Sequence, residues 1–146
     1  MKEIRIRDVM VRDVVTLDEG ESLLLADDVM RLGRIRHLPV VAGGVVVGLV
    51  THRDILRASV SSLVGLSRSE DAEIKRSIPV RKVMRREVAT IGPDDPAAAG
   101  CRLMLERKIG CLPVVEEGGR LVGIVTEADF IQLALRCLEG EVEVAG

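Results

Sequence analysis

The chain has 146 residues, of which 47% are hydrophobic and 30% are charged, and its formal net charge is −2. This balance fits one globular domain with a core of its own, and it argues against a disordered chain or a general binder of polyanions. With one Phe, no Tyr and no Trp, the chain lacks the stacking platforms of single-stranded nucleic-acid binders, and no segment approaches the roughly 18 uninterrupted apolar residues of a membrane helix.

The cysteines indicate a reducing compartment. Cys101, Cys111 and Cys137 are odd in number, and their spacings match no metal-binding pattern. We therefore expect reduced thiols, a cytoplasmic location and no metal site. The first ten residues contain no long apolar run, so we do not expect a signal peptide.

A long internal repeat organises the chain. The segment Gly48–Asp54 recurs 75 residues later as Gly123–Asp129, and shorter motifs recur at a shift of 74. Those motif pairs are Val9-Met10 with Val83-Met84, Thr16 with Thr90, Met30 with Met104, Ile35 with Ile109, and Leu38–Val41 with Leu112–Val115. Two copies are too few for a solenoid, so we expect two half-domains that fold against each other, with any site in the groove between them.

The first repeat opens with a short polar segment that contains Asp8-Val9-Met10 and continues as an extended stretch over Val14–Leu17. Apolar spacing predicts a helix from Ser22, its N-cap, to Leu32. The later predicted elements are a hairpin of two strands, His37–Val41 and Val45–Val50, joined by the turn Ala42–Gly44, and a closing helix from Thr51.

The elements of the connection and of the second repeat are predicted from the same kinds of signal. The helix from Thr51 is expected to continue through Val60, Leu63 and Val64, and Ser67 with Glu70 predicts a capping box that opens a second short helix through Ile74. The elements predicted for the second repeat are a helix that begins near Asp95-Pro96, with an acidic cap and Pro at its first position, a hairpin with the turn Glu116–Gly119, and a closing helix from Thr126. These elements divide the chain into a first repeat (1–57), a helical connection (58–77), a second repeat (78–138) and a flexible tail (139–146).

The segment Thr51-His52-Arg53-Asp54 lies where a strand ends and a helix begins. One interpretation is a capping box, in which the Thr hydroxyl accepts from an early helix N–H and the Asp reaches back. The other is a ligand site, because a helix N-terminus attracts phosphate and an acidic residue can accept hydrogen bonds from a ribose diol. The two are compatible. Gly48 and Gly123, three residues before each Thr, predict a close approach of another backbone segment.

These residues resemble a tandem pair of cystathionine-β-synthase (CBS) domains, a Bateman module. The pattern Gly-hydrophobic-x-Thr-x-x-Asp occurs intact at 48–54 and 123–129, each time after a Leu-Pro-Val-Val strand and a hairpin. The resemblance covers essentially the whole chain and implies a stand-alone pair with a mixed α/β (α+β) fold, in which two βαββα-type repeats pack about a pseudo-twofold axis. It also implies a homodimer formed through the CBS helices.

The resemblance further implies two clefts that bind adenine-containing ligands: AMP, ADP, ATP or S-adenosylmethionine. Ribose hydroxyls would go to the Asp of each motif, and phosphates to the Thr and nearby basic residues. The residues carried over to the first cleft, site A, are Thr51, Arg53, Asp54, Arg36, His37, Ala89, Ile109 and Gly110. Those carried over to the second cleft, site B, are Thr126, Asp129, Cys111, Val15, Ile35 and Arg36.

The two sites are unequal in charge. Site A has basic side chains at 36, 37 and 53, whereas Gly110, Cys111 and Ala128 stand at the matching positions of the second repeat, and Glu127 adds an acid. We expect site A to bind phosphorylated ligands more tightly, because hydrogen bonds between charged groups are stronger than neutral ones.

The function implied is a non-catalytic regulatory module that senses adenine nucleotides, and so cellular energy, and signals by conformational change to an effector protein not identified by the sequence. No nucleophile set or phosphate loop suggests an enzyme. The main alternative is a ligand-free dimerisation or interaction scaffold. A weaker one, nucleic-acid binding through the arginines of the first repeat, is opposed by the low aromatic content and the acidic balance.

Overall fold

The structure is a computed structural model that describes residues 2–58 and 65–142. It divides into two compact units. Unit 1 is formed by the chain up to Val14 together with the chain from Ala89 onward, and unit 2 by Val15–Val88. Both units contain helices and strands, so the predicted mixed α and β fold class is confirmed.

Unit 2 is built on a three-stranded sheet in the order β1-β2-β3. Strand β1 runs parallel to β2, and β2 and β3 form the predicted antiparallel hairpin, whose turn is made by Gly43 and Gly44 at positive φ. The elements of unit 2 are β1 (Leu17–Asp18), α2 (Leu23–Gly33), β2 (His37–Ala42), β3 (Val45–Thr51), α3 (His52–Ala58), α4 (Arg68–Ser77) and a 3-10 turn (Val80–Lys82).

Unit 1 repeats this plan with a two-stranded sheet. The place of β1 is taken by a single residue, Ile91, which bridges Val114 in parallel. The elements of unit 1 are α1 (Ile6–Val9), α5 (Ala97–Arg107), β4 (Cys111–Val115), β5 (Leu121–Thr126) and α6 (Glu127–Leu138).

Each unit contains the opening segment of the other repeat. We call residues 4–14 the first lead-in and residues 78–88 the second lead-in. Ile6 of the first lead-in is fully buried in the core of unit 1, while Val80 and Met84 of the second lead-in are buried in the core of unit 2. The compact units therefore cross the boundaries of the sequence repeats, although the repeats define the order of their elements.

Capping residues set the ends of several helices. The Ser22 side chain accepts a hydrogen bond from the Leu25 N–H and begins α2, as predicted. Ser67 and Glu70 form the predicted capping box of α4, and the hydrogen bonds from Ser67 lower the pKa of Glu70.

Helix α4 is tied to α2 by a buried ion-pair cluster. The Lys75 Nζ lies 2.8 Å from an Asp27 oxygen on α2 and 3.0 Å from an Asp71 oxygen on its own helix. Burial alone would lower the pKa of Lys75, but the hydrogen bonds and charges of the two carboxylates outweigh it and raise the pKa above its ordinary value of 10.5.

One prediction about the elements needs correction, one holds only in part, and two reach residues outside the described ranges. The second repeat's first helix begins at Ala97 with Pro96 at its N-cap, and Asp95 does not cap it, because its carboxylate accepts from the Gly92 N–H. Of the stretch Val14–Leu17, which is predicted to be extended, only Leu17 pairs with a neighbouring strand, through Val40 of β2. The predicted continuation of α3 through 60–64 and the end of the tail, 143–146, fall outside the described residues.

Within residues 2–58 and 65–142, no helix is long and apolar enough to cross a membrane.

Candidate functional site

The first corner, Thr51–Asp54, joins β3 to α3. The Thr51 N–H donates to an Asp54 carboxylate oxygen at 2.9 Å, and the Asp54 N–H donates to the Thr51 hydroxyl at 3.2 Å. This is the reciprocal pattern of a capping box, so the first of the two interpretations of this motif is confirmed at this corner. Asp54 is 6% exposed, and the cap fixes its carboxylate in place.

Asp54 also meets a cation from the second lead-in. The Arg85 Nε and Nη2 each lie 3.3 Å from Asp54 Oδ1, the oxygen that the Thr51 N–H does not use. The Arg85 side chain is 52% exposed, whereas that of Asp54 is 7% exposed. The Asp54 carboxylate is thus buried, whereas about half of the Arg85 side chain is open to solvent.

The predicted basic residues of site A lie in the chain around this corner: Arg36 directly precedes strand β2, His37 begins it, and Arg53 is on α3. His37 is paired with Thr51 in the hairpin register, and the Arg36 carbonyl accepts a 2.8 Å hydrogen bond from the His52 N–H. Arg36 and Arg53 are exposed, and His37 is half-buried. The structure therefore brings together five of the residues predicted for site A: Arg36, His37, Thr51, Arg53 and Asp54.

The second corner, Thr126–Asp129, joins β5 to α6 in unit 1. The Thr126 N–H donates to Asp129 Oδ2 at 2.8 Å, and the Thr126 hydroxyl donates to the same oxygen at 3.2 Å. The Glu127 N–H donates to the Gly110 carbonyl at 3.2 Å, as the His52 N–H does to Arg36. In the part of the chain that the structure describes, no arginine or lysine is paired with Asp129.

Cys111 is paired with Thr126 in the hairpin of unit 1 and is 3% exposed. Burial raises the pKa of its thiol to about 12, because the thiolate would lose its hydration. A thiol in this state packs as a small apolar side chain and is a poor nucleophile.

The remaining predicted site residues are divided between the units. Ala89, Ile109 and Gly110, predicted for site A, belong to unit 1, whereas Val15, Ile35 and Arg36, predicted for site B, belong to unit 2. Their parts in sites A and B stay predictions.

Arg85 is not among the site residues predicted from the sequence. The repeat aligns Met84 with Met10 and hence Arg85 with Val11, so the sequence shows that the two repeats differ in charge at this position. Nothing local, however, indicates that the second lead-in pairs with the first hairpin and so brings a guanidinium to Asp54.

The sequence matches the family model of the CBS domain twice, at residues 6–61 and 80–136. Each match contains one hairpin and one of the two corners described above. The chain belongs to the CBS domain family. As in other CBS pairs, the two domains follow each other in one chain, and the predicted resemblance is confirmed.

Solved CBS pairs match this chain over nearly its full length. A protein from Vibrio cholerae assigned to acetoin utilization (AcuB) is 32% identical, with a TM-score of 0.80 over 97% of this chain and 99% of the other. The CBS domain pair of protein MJ0100, in complex with 5′-methylthioadenosine and S-adenosyl-L-methionine, is 25% identical, with a TM-score of 0.75 over 97% of this chain and 100% of the other.

Some relatives are longer enzymes. A homoserine O-acetyltransferase from Methanococcoides burtonii is 37% identical over 88% of this chain. The chain spans only 22% to 24% of the length of this enzyme, of two other homoserine O-acetyltransferases and of two inosine-5′-monophosphate dehydrogenases. The CBS pair is thus a fragment of those enzymes, and their activities belong to the whole proteins.

Proposed function

We propose that this CBS pair is a non-catalytic regulatory module that binds adenosine-type ligands at its two corners and transmits their presence by a change of conformation. Asp54 and Asp129 would accept hydrogen bonds from ribose hydroxyls. Thr51 and Thr126 would lie beside the first phosphate, or beside the group that stands in its place on the ribose of a ligand without phosphate. The predicted base contacts are Ala89, Ile109 and Gly110 for site A, and Val15 and Ile35 for site B.

The observation that carries this proposal is the duplicated corner. In both copies a carboxylate is held on the first turn of a helix by the preceding Thr N–H, at 2.9 Å and 2.8 Å. A carboxylate fixed in this way is preorganised, so a ribose diol can bind to it without the entropy cost of ordering a side chain. Its appearance at matched positions of both repeats is what two related ligand sites would require.

The ligand bound to a relative supports the adenosine class. The solved CBS pair of MJ0100 holds 5′-methylthioadenosine and S-adenosyl-L-methionine. Both compounds contain an adenosine unit, and neither has a phosphate. The cations beside the first corner suit an anionic substituent on the ribose. On that basis we extend the proposal to AMP, ADP and ATP.

Calorimetric titration tests the proposal directly. The purified chain is titrated with AMP, ADP, ATP, S-adenosylmethionine and 5′-methylthioadenosine, and with GMP as a control that shares the ribose phosphate. We expect saturable binding of at least one adenosine compound. If none binds at millimolar concentration and none raises the unfolding temperature, the chain is not an adenosine sensor.

One observation favours the scaffold alternative. The Asp54 carboxylate already accepts from the Thr51 N–H and from Arg85, so the first corner is satisfied without a ligand. A ligand must then replace or extend these contacts. A stable dimer in which every adenosine titration is flat would support this alternative.

We further propose that two copies of the chain associate through helix α6. Ile131, Leu135 and Leu138 are exposed by 68%, 53% and 85%, and their spacing places them on one face of the helix. A continuous apolar face of this kind is typical of an interface between protein chains. The effector protein is unidentified, and the cytoplasmic location stays a prediction from the free thiols.

A further inference from the structure

The position that follows the Val-Met pair of each lead-in is occupied by Arg85 in one copy and by Val11 in the other. Both residues are held by the same backbone contacts. Arg85 exchanges two hydrogen bonds of 2.9 Å with Leu49, and Val11 exchanges two of 2.9 Å with Ile124. The two side chains therefore start from equivalent points beside the first and second corners.

Close packing fixes this position in both units. A Cβ built on Gly48 would lie 3.1 Å from the Arg85 carbonyl oxygen, and one built on Gly123 would lie 3.0 Å from that of Val11. Because the lead-in backbone rests directly on these glycines, the backbone of residue 85 or 11 is held beside its corner.

The two positions differ in charge, since Arg85 is cationic and Val11 is neutral. Arg85 offsets the charge of Asp54, and its guanidinium has more N–H donors than this contact uses. A half-exposed arginine side chain beside a carboxylate that is proposed to bind ribose can pair with an anionic group on the same ligand. At the second corner Val11 is uncharged and 45% exposed, and Glu127 adds a negative charge next to Asp129.

We propose that the residue after Val-Met in each lead-in determines the charge of the ligand at the neighbouring corner. Arg85 selects adenosine compounds with a phosphate at the first corner. Val11 leaves the second corner to adenosine compounds whose ribose substituent is neutral or cationic. This inference rests on the proposed adenosine-binding function and assigns its specificity to two residues that the resemblance to CBS domains did not single out.

AMP and 5′-methylthioadenosine are suitable probes, because they share the adenosine unit and differ in the charge of the ribose substituent. Calorimetry with both compounds is performed on the wild type, Arg85→Val and Arg85→Lys, with Arg86→Val as the matched control, since Arg86 is the adjacent exposed arginine and is not bonded to Asp54. Thermal unfolding of each variant checks that it is folded.

We expect Arg85→Val to weaken AMP binding roughly ten- to hundredfold, while 5′-methylthioadenosine changes by less than about threefold. Arg85→Lys should retain most of the preference, and Arg86→Val should match the wild type. A variant that loses both ligands equally, or neither, would overturn the inference and leave the proposed function standing. If the wild type binds no adenosine compound, both fall.

The reciprocal change tests the second corner. Val11→Arg in the Arg85→Val background should restore AMP binding, and Val11→Met, which adds size without charge, should not. Restoration by both variants, or by neither, would show that the charge at this position does not select the ligand.

Discussion

Met84 packs directly against Gly48, so closely that its Cγ would lie 2.8 Å from any Cβ placed on that glycine. Met10 has the same relation to Gly123, where its Sδ would lie 2.7 Å away. The glycine of each signature motif is therefore a packing position: it lets the lead-in of the other repeat pair with the strand and brings residue 85 or 11 to the corner.

Gly48→Ala should destabilise the protein by about 1–3 kcal/mol, because the added methyl group collides with both a buried side chain and a backbone carbonyl. Chemical denaturation measures the loss. Gly33→Ala is the matched control, since its Cβ would meet nothing closer than 3.6 Å. Equal stability of the wild type and Gly48→Ala would contradict the packing role.

Lys75→Met should reduce the free energy of unfolding by about 1–3 kcal/mol, because Asp27 and Asp71 would lose their shared cation in a mostly buried cluster. The control is Arg76→Met on the same helix, whose exposed pair with Glu73 should contribute less than about 1 kcal/mol. Similar losses in the two variants would refute the distinction.

The same cluster predicts a pH dependence. The pKa of Lys75 is raised in the folded state, so its contribution is fully present below the ordinary value of 10.5 and is lost as the pH rises through the raised value. The stability difference between wild type and Lys75→Met should therefore be constant at neutral pH and shrink above pH 10.5. If the stability difference between the wild type and Lys75→Met grew as the pH rose above 10.5, the prediction would be contradicted.

Cys111 should resist alkylation in the folded protein. Burial raises the pKa of its thiol to about 12, so almost no thiolate is present at neutral pH, and the side chain is inaccessible. Peptide mapping after iodoacetamide treatment should show Cys101 and Cys137, which are both half-buried, labelled before Cys111. In concentrated guanidinium chloride all three cysteines should label at similar rates. Early labelling of folded Cys111 would show that its strand opens readily.

Leu135→Glu should convert a dimer to a folded monomer, because the side chain is 53% exposed within the chain itself. Sedimentation velocity gives the oligomeric state. Gln132→Glu, which adds the same charge beside the apolar face, should stay dimeric. A wild type that is monomeric at all concentrations would remove the proposed interface.

The local elements could be predicted because their signals are local. Ser22 begins α2, Ser67 and Glu70 cap α4, and the paired glycines turn both hairpins. The prediction that Asp95 caps a helix is wrong, because its carboxylate accepts a hydrogen bond from the Gly92 N–H instead.

The contact between Arg85 and Asp54 could not be predicted, because it depends on which hairpin each lead-in joins. The repeat makes positions 11 and 85 equivalent, but it carries no information on whether a lead-in packs with its own repeat or with the other one. That choice is made by long-range packing, such as that of Ile6 and Met84 in the two cores.

The affinity of Asp54→Asn for AMP tests the proposed ribose site most directly. Asparagine keeps an oxygen for the Thr51 N–H but removes the charge and one acceptor from the ribose. Asp95→Asn, which changes another carboxylate that accepts from a backbone N–H, is the control. We predict a loss of affinity of roughly tenfold or more for Asp54→Asn and none for Asp95→Asn, in calorimetric titrations of folded protein. AMP binding by Asp54→Asn with the affinity of the wild type would contradict the assignment of the first corner as a ribose site.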